Sequence, residues 1–297
     1  MGFGSKLSSG IRDWQSAIQW NRNSRGLWRN WWDSDLLRQY VNEQICSLPG
    51  REDGIAEALR GHLSGRKLER GISIGCGDAK KELALLASGV VHKFDLYDIS
   101  AGQVVVGKAA SIAQGLEDRV HFLERSPLLS PPAPTYDLIY WDHSLHHMFD
   151  IRPTLEWCKA ALAPKGVLCV NDYVGPTRLQ WTGREAKRAN AILSELGKKH
   201  GVEIRKVSKG NPVKRLRLYL KDPSEAPQSD RIESACAEVF PGFRLRPLGG
   251  AMLNMCGSMV MGLETIPDGL LQDFAAADRQ CADAGMYHFA FGIWEQP

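Results

Sequence analysis

From about residue 55 onward, apolar runs alternate with amphipathic stretches in a βαβα rhythm. GIAEALRGHL has helical spacing, and the apolar segments after it are short and close on glycine or polar positions. The pattern predicts strands over residues 71–75, 94–98, 120–124, 136–141 and 166–172, with helices in the gaps. Strands separated by helices pair in parallel through right-handed crossovers, so the expected fold class is α/β, an open doubly wound sheet. Ligands of such sheets bind at the carboxyl ends of the strands. After Asp172 the rhythm breaks, and some seventy residues pass before the next strand pattern, at 243–248, which is longer than an ordinary crossover. An inserted cap is expected over 173–240. An amphipathic helix over 270–282 and a last strand over 286–294, MYHFAFGIW, restore the sheet pattern. Met252, Met255, Met259 and Met261 recur near helical spacing, as core packing requires.

Residues 1–54 carry Trp14, Trp20, Trp28, Trp31 and Trp32 among Arg22, Arg25 and Arg29, a segment that either caps a core or forms an aromatic lid. The expected organisation is therefore a Trp-rich lid over 1–54, a ligand-binding core over 55–172, the inserted cap over 173–240, and a segment over 241–297 that completes the core sheet.

Composition narrows this picture. At 297 residues, 43% apolar and 24% charged, the chain can bury a substantial core, and it is neither disordered nor a disulfide scaffold. Thirty-seven Lys and Arg against 34 Asp and Glu leave +3, too near balance for a nucleic-acid footprint over the whole surface. The charge is uneven: residues 198–217 hold eight Lys or Arg and one Glu. That local +7 is either a solvated face or a site for an anionic acceptor or partner, and with only Tyr219 interleaved it does not read as an RNA surface. Seven Cys without a CxxC pair read as reduced thiols of a cytoplasmic protein. The first residues lack an apolar signal core, so no export is expected. The longest uncharged run, 247–263, is 17 residues, and no membrane span is expected.

Chemistry concentrates at the predicted strand ends. In GISIGCGDAKKELALLAS an apolar strand runs into Gly75-Cys76-Gly77, Asp78 can cap the following helix, and Ala79, Leu83 and Leu86 form its buried face. Asp98 ends the second strand 23 residues after Gly75, where a carboxylate can accept hydrogen bonds from both hydroxyls of a ribose. A dinucleotide needs a third glycine, and Lys80 stands where it would fall. S-adenosylmethionine has no phosphate and needs only room over the glycines and a carboxylate for the ribose, so that cofactor fits better.

Taken in order, GISIGCGDAKKE, FDLYDIS, YDLIYWDHSLHHMFD and LAPKGVLCVNDYVGP resemble successive motifs of the class I S-adenosylmethionine-dependent methyltransferases. NDYVGPTRLQW, DPSEAPQSDRIES and Gly249-Gly250 are similar to a bacterial subgroup often found beside glycan-biosynthesis enzymes. The resemblance implies a Rossmann-like seven-stranded sheet whose last strand inserts antiparallel. It also implies that Gly75 and Gly77 face the methionine portion of the cofactor, with Cys76 between them contributing its backbone, that Asp98 takes the ribose with Ile99 beside it in the cofactor site, and that Asp142 and His143 line the transfer site. Many relatives place an Asp after the third strand for the adenine. This chain reads FLERSP there, leaving Glu124 or Ser126 as substitutes.

DHSLHHMFD crowds His143, His146 and His147 at one strand end. Either His146 or His147 could act as general base on an attacking hydroxyl, a role suited to a pKa near neutrality. A metal site is the rival, but no metal is expected, because adjacent histidines usually point apart and no supporting Cys is near. Asp172, Tyr173, Arg178 and Trp181, at the exit of the fifth strand, are placed to shape the acceptor pocket, Arg178 by pairing with an anion and Trp181 by stacking. The expected activity is methylation of a hydroxyl on a small molecule or glycan. N-methylation and a non-catalytic adenosyl-ligand scaffold are the alternatives, and a homodimer is compatible with the sequence.

Overall fold

The computed structural model describes residues 30–133 and 135–297. Trp14, Trp20, Trp28, Arg22, Arg25 and Arg29 lie outside the described residues. A short 3-10 turn at Trp31–Asp33 precedes α1 (Asp35–Cys46) and α2 (Gly54–Leu63). Then β1 (Leu68–Ile74), α3 (Lys80–Ala87), β2 (Val91–Tyr97), α4 (Ala101–Ala113), β3 (Val120–Leu123), β4 (Tyr136–Asp142), α5 (Ile151–Ala161) and β5 (Leu162–Tyr173) follow. Three helices, α6 (Gly183–His200), α7 (Pro212–Lys221) and α8 (Ile232–Val239), lead to β6 (Arg246–Gly249). The chain ends through α9 (Ala251–Met261), α10 (Leu270–Asp283) and β7 (Phe289–Glu295).

The seven strands form one sheet in the order β3-β2-β1-β4-β5-β7-β6. β1 to β5 pair in parallel, and β7 inserts antiparallel between β5 and β6. All seven strand patterns in the sequence become strands, with shifted ends. β5 starts at Leu162 rather than at Gly166, because Leu162 pairs with Tyr136 ahead of a register irregularity. The apolar runs are continuous because both sheet faces are covered. On β4, Leu138 and Tyr140 join one core while Ile139 and Trp141 join the other, and all four are fully buried.

The first core gathers Leu37 of α1, Leu59 of α2, Leu83 of α3, Ile192 of α6, Met252 of α9 and Phe274 of α10. The second gathers Leu155 of α5 with Ile232 and Val239 of α8. The stretch after β5 is therefore divided. α6 starts from a capping box between Thr182 and Glu185 and buries Ala189, Ile192, Leu193 and Leu196. α8 packs against the other face, whereas none of the ten residues of α7 is buried. Trp31 is buried with its ring 6.3 Å from that of Phe289, and Trp32 is exposed.

One local expectation is corrected. Ala79, not Asp78, is the N-cap residue of α3, at φ 56°, while the Asp78 carboxylate one position earlier accepts from the Lys80 N–H at 3.4 Å and pairs with the Lys80 ammonium at 2.6 Å. The glycine turn runs one residue further before the helix can start.

Candidate active site

The carboxyl ends of β1, β2, β4 and β5 meet at one edge, and the glycine turn after β1 lies in their midst. The backbone N–H groups of Gly75 and Cys76 both donate to the Tyr97 carbonyl, at 2.7 and 3.1 Å, which ties the turn to the end of β2. Gly75 and Gly77 sit at φ 74° and 55°, the left-handed region that favours glycine. A Cβ on Gly75 would lie 2.8 Å from the Ser144 Cβ, whereas nothing lies within 4 Å of the same position on Gly77. Asp98 accepts from the Gly77 N–H through Oδ2 and from the Ser100 N–H through Oδ1, each at 2.7 Å. Burial raises its carboxyl above the ordinary value, and those backbone donors oppose the rise.

Above this turn opens a cavity of about 410 Å³, within the range of roughly 300–1,000 Å³ usual for small-molecule sites. Gly75, Gly77, Asp98, Ile99, Ser126, His143 and His147 line it, as seven of the residues singled out in the sequence. Gln103, Arg125, Leu128, Ser144 and Trp157 also line it, and sequence reasoning missed them. Gln103 is the third residue after Ser100, whose hydroxyl caps α4 by accepting from the Gln103 N–H. The buried Ser144 Oγ has no hydrogen-bond partner.

Cys76, Glu124 and Asp142 do not line the cavity. Cys76 contributes its backbone to the turn while burial pushes its thiol well up. β3 ends at Leu123, so Glu124 is turned out to solvent. Asp142 is held below the floor by Lys81 Nζ at 2.5 Å and by Asn171 Nδ2 at 2.6 Å. Beneath it Glu82 accepts from Ser73 Oγ at 2.6 Å, and burial pushes its carboxyl up to about 7.

His143 takes φ 51° and donates its backbone N–H to the Asn171 carbonyl at 2.8 Å. Burial lowers its ring pKa to about 4, so the ring is neutral at pH 7. His146 and His147 follow on a 3-10 turn at Leu145–His147, and their rings do not point apart: the centroids are 4.2 Å apart.

His146 is buried, with Nδ1 2.5 Å from Asp172 Oδ1, and it does not line the cavity. Asp172 is fully buried and also accepts from the Ser144, Leu145 and Tyr173 N–H groups. Burial opposes charge on both members of this pair. Their mutual contact wins, raising the His146 pKa and lowering that of Asp172. Burial and the neighbouring His146 lower the His147 pKa. His147 Nδ1 is 3.2 Å from both the carbonyl and the hydroxyl oxygen of Ser224; the carbonyl can only accept and the hydroxyl donates to Asp222, so these contacts favour the tautomer with its proton on Nδ1.

Asp172 is thus a support for the histidines rather than a wall of an acceptor pocket. Tyr173 and Trp181 pack on the core, Tyr173 donating its hydroxyl to the Pro176 carbonyl at 3.0 Å. The Arg178 guanidinium donates to the Pro223 and Glu225 carbonyls at 2.5 and 3.1 Å and lies over the Tyr219 ring. It clamps the 222–226 segment and is not presented to an anion. His146, His147 and Glu225 have potential ligand atoms within 4.8 Å of one another. Those atoms would have to close to roughly 3.3 Å to bind zinc tetrahedrally.

Residues 72–168 match a family model described as a methyltransferase domain. Over 144 residues the chain is 25% identical to 27-O-demethylrifamycin SV methyltransferase of Amycolatopsis mediterranei, covering 48% of this chain and 53% of that protein. The chain thus spans about half the length of the curated relative it matches. Among solved structures, a protein of Galdieria sulphuraria proposed to be a sarcosine dimethylglycine methyltransferase aligns at 16% identity, with a TM-score of 0.49 over 81% of this chain and 84% of that one. Geranyl diphosphate C-methyltransferase of Streptomyces coelicolor A3(2) aligns at 15%, with a TM-score of 0.48 over 83% and 76%. The strand order, antiparallel β7 and glycine turn fit the Rossmann-like sheet of the class I S-adenosylmethionine-dependent methyltransferases, and residues 72–168 match the methyltransferase domain model. S-adenosylmethionine is the cofactor of that domain class. The cavity fits it, with open space over Gly77, a carboxylate at the β2 end and the orphaned Ser144 hydroxyl in its wall.

Proposed function

We propose that this chain methylates a hydroxyl of a small molecule or sugar, with S-adenosylmethionine held over Gly75 and Gly77 and its ribose on Asp98. Ile99 would flank the ribose, Ser126 with Gln103 and Arg125 would border the adenine, and Ser144 would meet the methionine portion. When bound, the cofactor supplies a methyl group on a positively charged sulfur, already activated for displacement.

The observation that carries the reading is the coupled set Asp172–His146–His147 beside the cavity. His147 is the member that lines the cavity, and its lowered pKa keeps it neutral, the form a general base needs. His147 Nε2 would take the hydroxyl proton as the acceptor oxygen bonds to the methyl carbon, the carbon–sulfur bond breaking with its electron pair going to the sulfur of S-adenosylhomocysteine. Asp172 fixes His146 through Nδ1, and His146 in turn fixes the orientation of His147. Alignment supplies much of the remaining acceleration. The relative from Amycolatopsis is named for a 27-O-demethylated substrate, which supports an oxygen acceptor.

The test is transfer of a labelled methyl group to a panel of hydroxylated and amine acceptors, with product mass spectrometry to locate the methyl. Transfer to oxygen, abolished in His147→Ala, is expected. Transfer to nitrogen alone would replace the oxygen reading, and no transfer by cofactor-bound protein would remove the catalytic one.

A further inference from the structure

α7 is built the wrong way round for a helix that packs on its own protein. At about 100° per residue, Val213, Leu216 and Leu220 fall within about 60° of one another on the helix wheel. They are 60%, 58% and 73% exposed, and Tyr219 beside them is 45% exposed. The half-buried residues are Lys214 and Leu218, on the opposite side. The apolar stripe therefore points away from the body. Arg215 borders it on one edge, Arg217 and Lys221 on the other, and the helix contains no acidic residue.

We propose that α7 docks this chain on an anionic lipid bilayer, its apolar stripe among the acyl chains and its basic borders on the headgroups. An amphipathic helix with Lys and Arg on its polar flanks binds membranes in this way. Charge selects this occupant over two others. A second copy seated face to face would bring two sets of four cations together. The segment 1–29 has five Lys or Arg and one Asp, so it too would meet α7 with like charge.

The helix also leads straight to the candidate site. Lys221 is followed by Asp222 to Glu225, which Arg178 clamps, and Ser224 lines the cofactor cavity. Docking through α7 sets that segment at the lipid surface, which assigns the acceptor to membrane-borne amphiphiles, such as a lipid-linked sugar. The docking stands on the helix alone, while the acceptor class rests on the methyl-transfer reading above.

Flotation of the full chain with phosphatidylcholine vesicles, with and without about 30% phosphatidylglycerol, tests the proposal. Binding to the anionic vesicles is expected, falling about tenfold or more in Leu216→Glu with Leu220→Glu and similarly in Arg215→Ala with Arg217→Ala. It should also weaken as salt shortens the screening length from about 10 Å at 0.1 M to about 3 Å at 1 M. No flotation with anionic vesicles, or equal flotation of the variants, overturns it. So does a dimer in light scattering that the Leu→Glu pair dissolves, which would give the face to a second copy. S-adenosylhomocysteine binding, measured on the same preparations, separates the two readings: docking without ligand binding leaves α7 assigned and removes only the acceptor class.

Discussion

Asp172→Asn isolates the contact on which the histidine arrangement depends. The carboxylate accepts four hydrogen bonds, two from Ser144 and Leu145 N–H through Oδ2 and two from Tyr173 N–H and His146 through Oδ1. An amide offers one accepting oxygen. Placed toward Ser144 and Leu145, it leaves an NH2 facing the Tyr173 N–H and His146 Nδ1, which forces His146 into the other tautomer. The flipped amide meets two backbone donors instead. Either way a charge-assisted bond of about 1.5–3 kcal/mol is lost, and a buried donor is left unsatisfied at about 1–3 kcal/mol. The expected destabilisation is about 3–5 kcal/mol where His146 is charged, the magnitude for breaking a buried pair.

The pH dependence follows from the two shifts. The His146 folded-state pKa is raised, so its contribution is full below the unfolded value of about 6.5 and is lost as pH rises through the folded one. The Asp172 pKa is lowered, so its contribution is present above about 3.9 and is lost as pH falls through the folded value. The gap between wild type and variant in urea melts is therefore widest near about pH 5.5 and narrower near about pH 9. The turnover number should fall by about 10²-fold or more, with the cofactor affinity kept. A gap that is equal at both pH values, or absent, would refute the ion pair.

Two further outcomes follow from the site. Gly75→Ala forces a side chain into φ 74° and to 2.8 Å from Ser144 Cβ, so stability in denaturant melts should drop by about 1–2 kcal/mol and cofactor affinity should fall with it. Removal of divalent ions by a chelator should leave the methyl-transfer rate unchanged, because His147 and not a metal takes the proton; a rate restored by one added metal would reverse that assignment.

The sheet was legible in the sequence because parallel strands buried on both faces write continuous apolar runs, such as DLIYW in β4. The glycine turn and Asp98 were legible for a related reason, since each sits where a strand must end. Side-chain partnership was not. Arg178 reads as a free cation until chain folding brings the Pro223 and Glu225 carbonyls to it, 45 and 47 residues away. Glu124 and Ser126 differ by two positions in the sequence, and only the end of β3 at Leu123 decides that Ser126 reaches the cavity. Adjacent histidines were expected to diverge, but separate partners, Asp172 for His146 and Ser224 for His147, hold the two rings 4.2 Å apart, and neither partner is near in sequence. The charge of 198–217 was plain, but the outward apolar stripe of α7 depends on which side of the helix meets the body.

The central claim is that the cavity over Gly75 and Gly77 holds the methyl donor, and calorimetric titration with S-adenosylmethionine and S-adenosylhomocysteine tests it most directly. Binding in the micromolar range, about −8 kcal/mol at 1 μM, is predicted for the wild type and should be lost in Asp98→Ala. A folded protein that binds neither ligand, or an Asp98→Ala variant that binds both as wild type does, would contradict it.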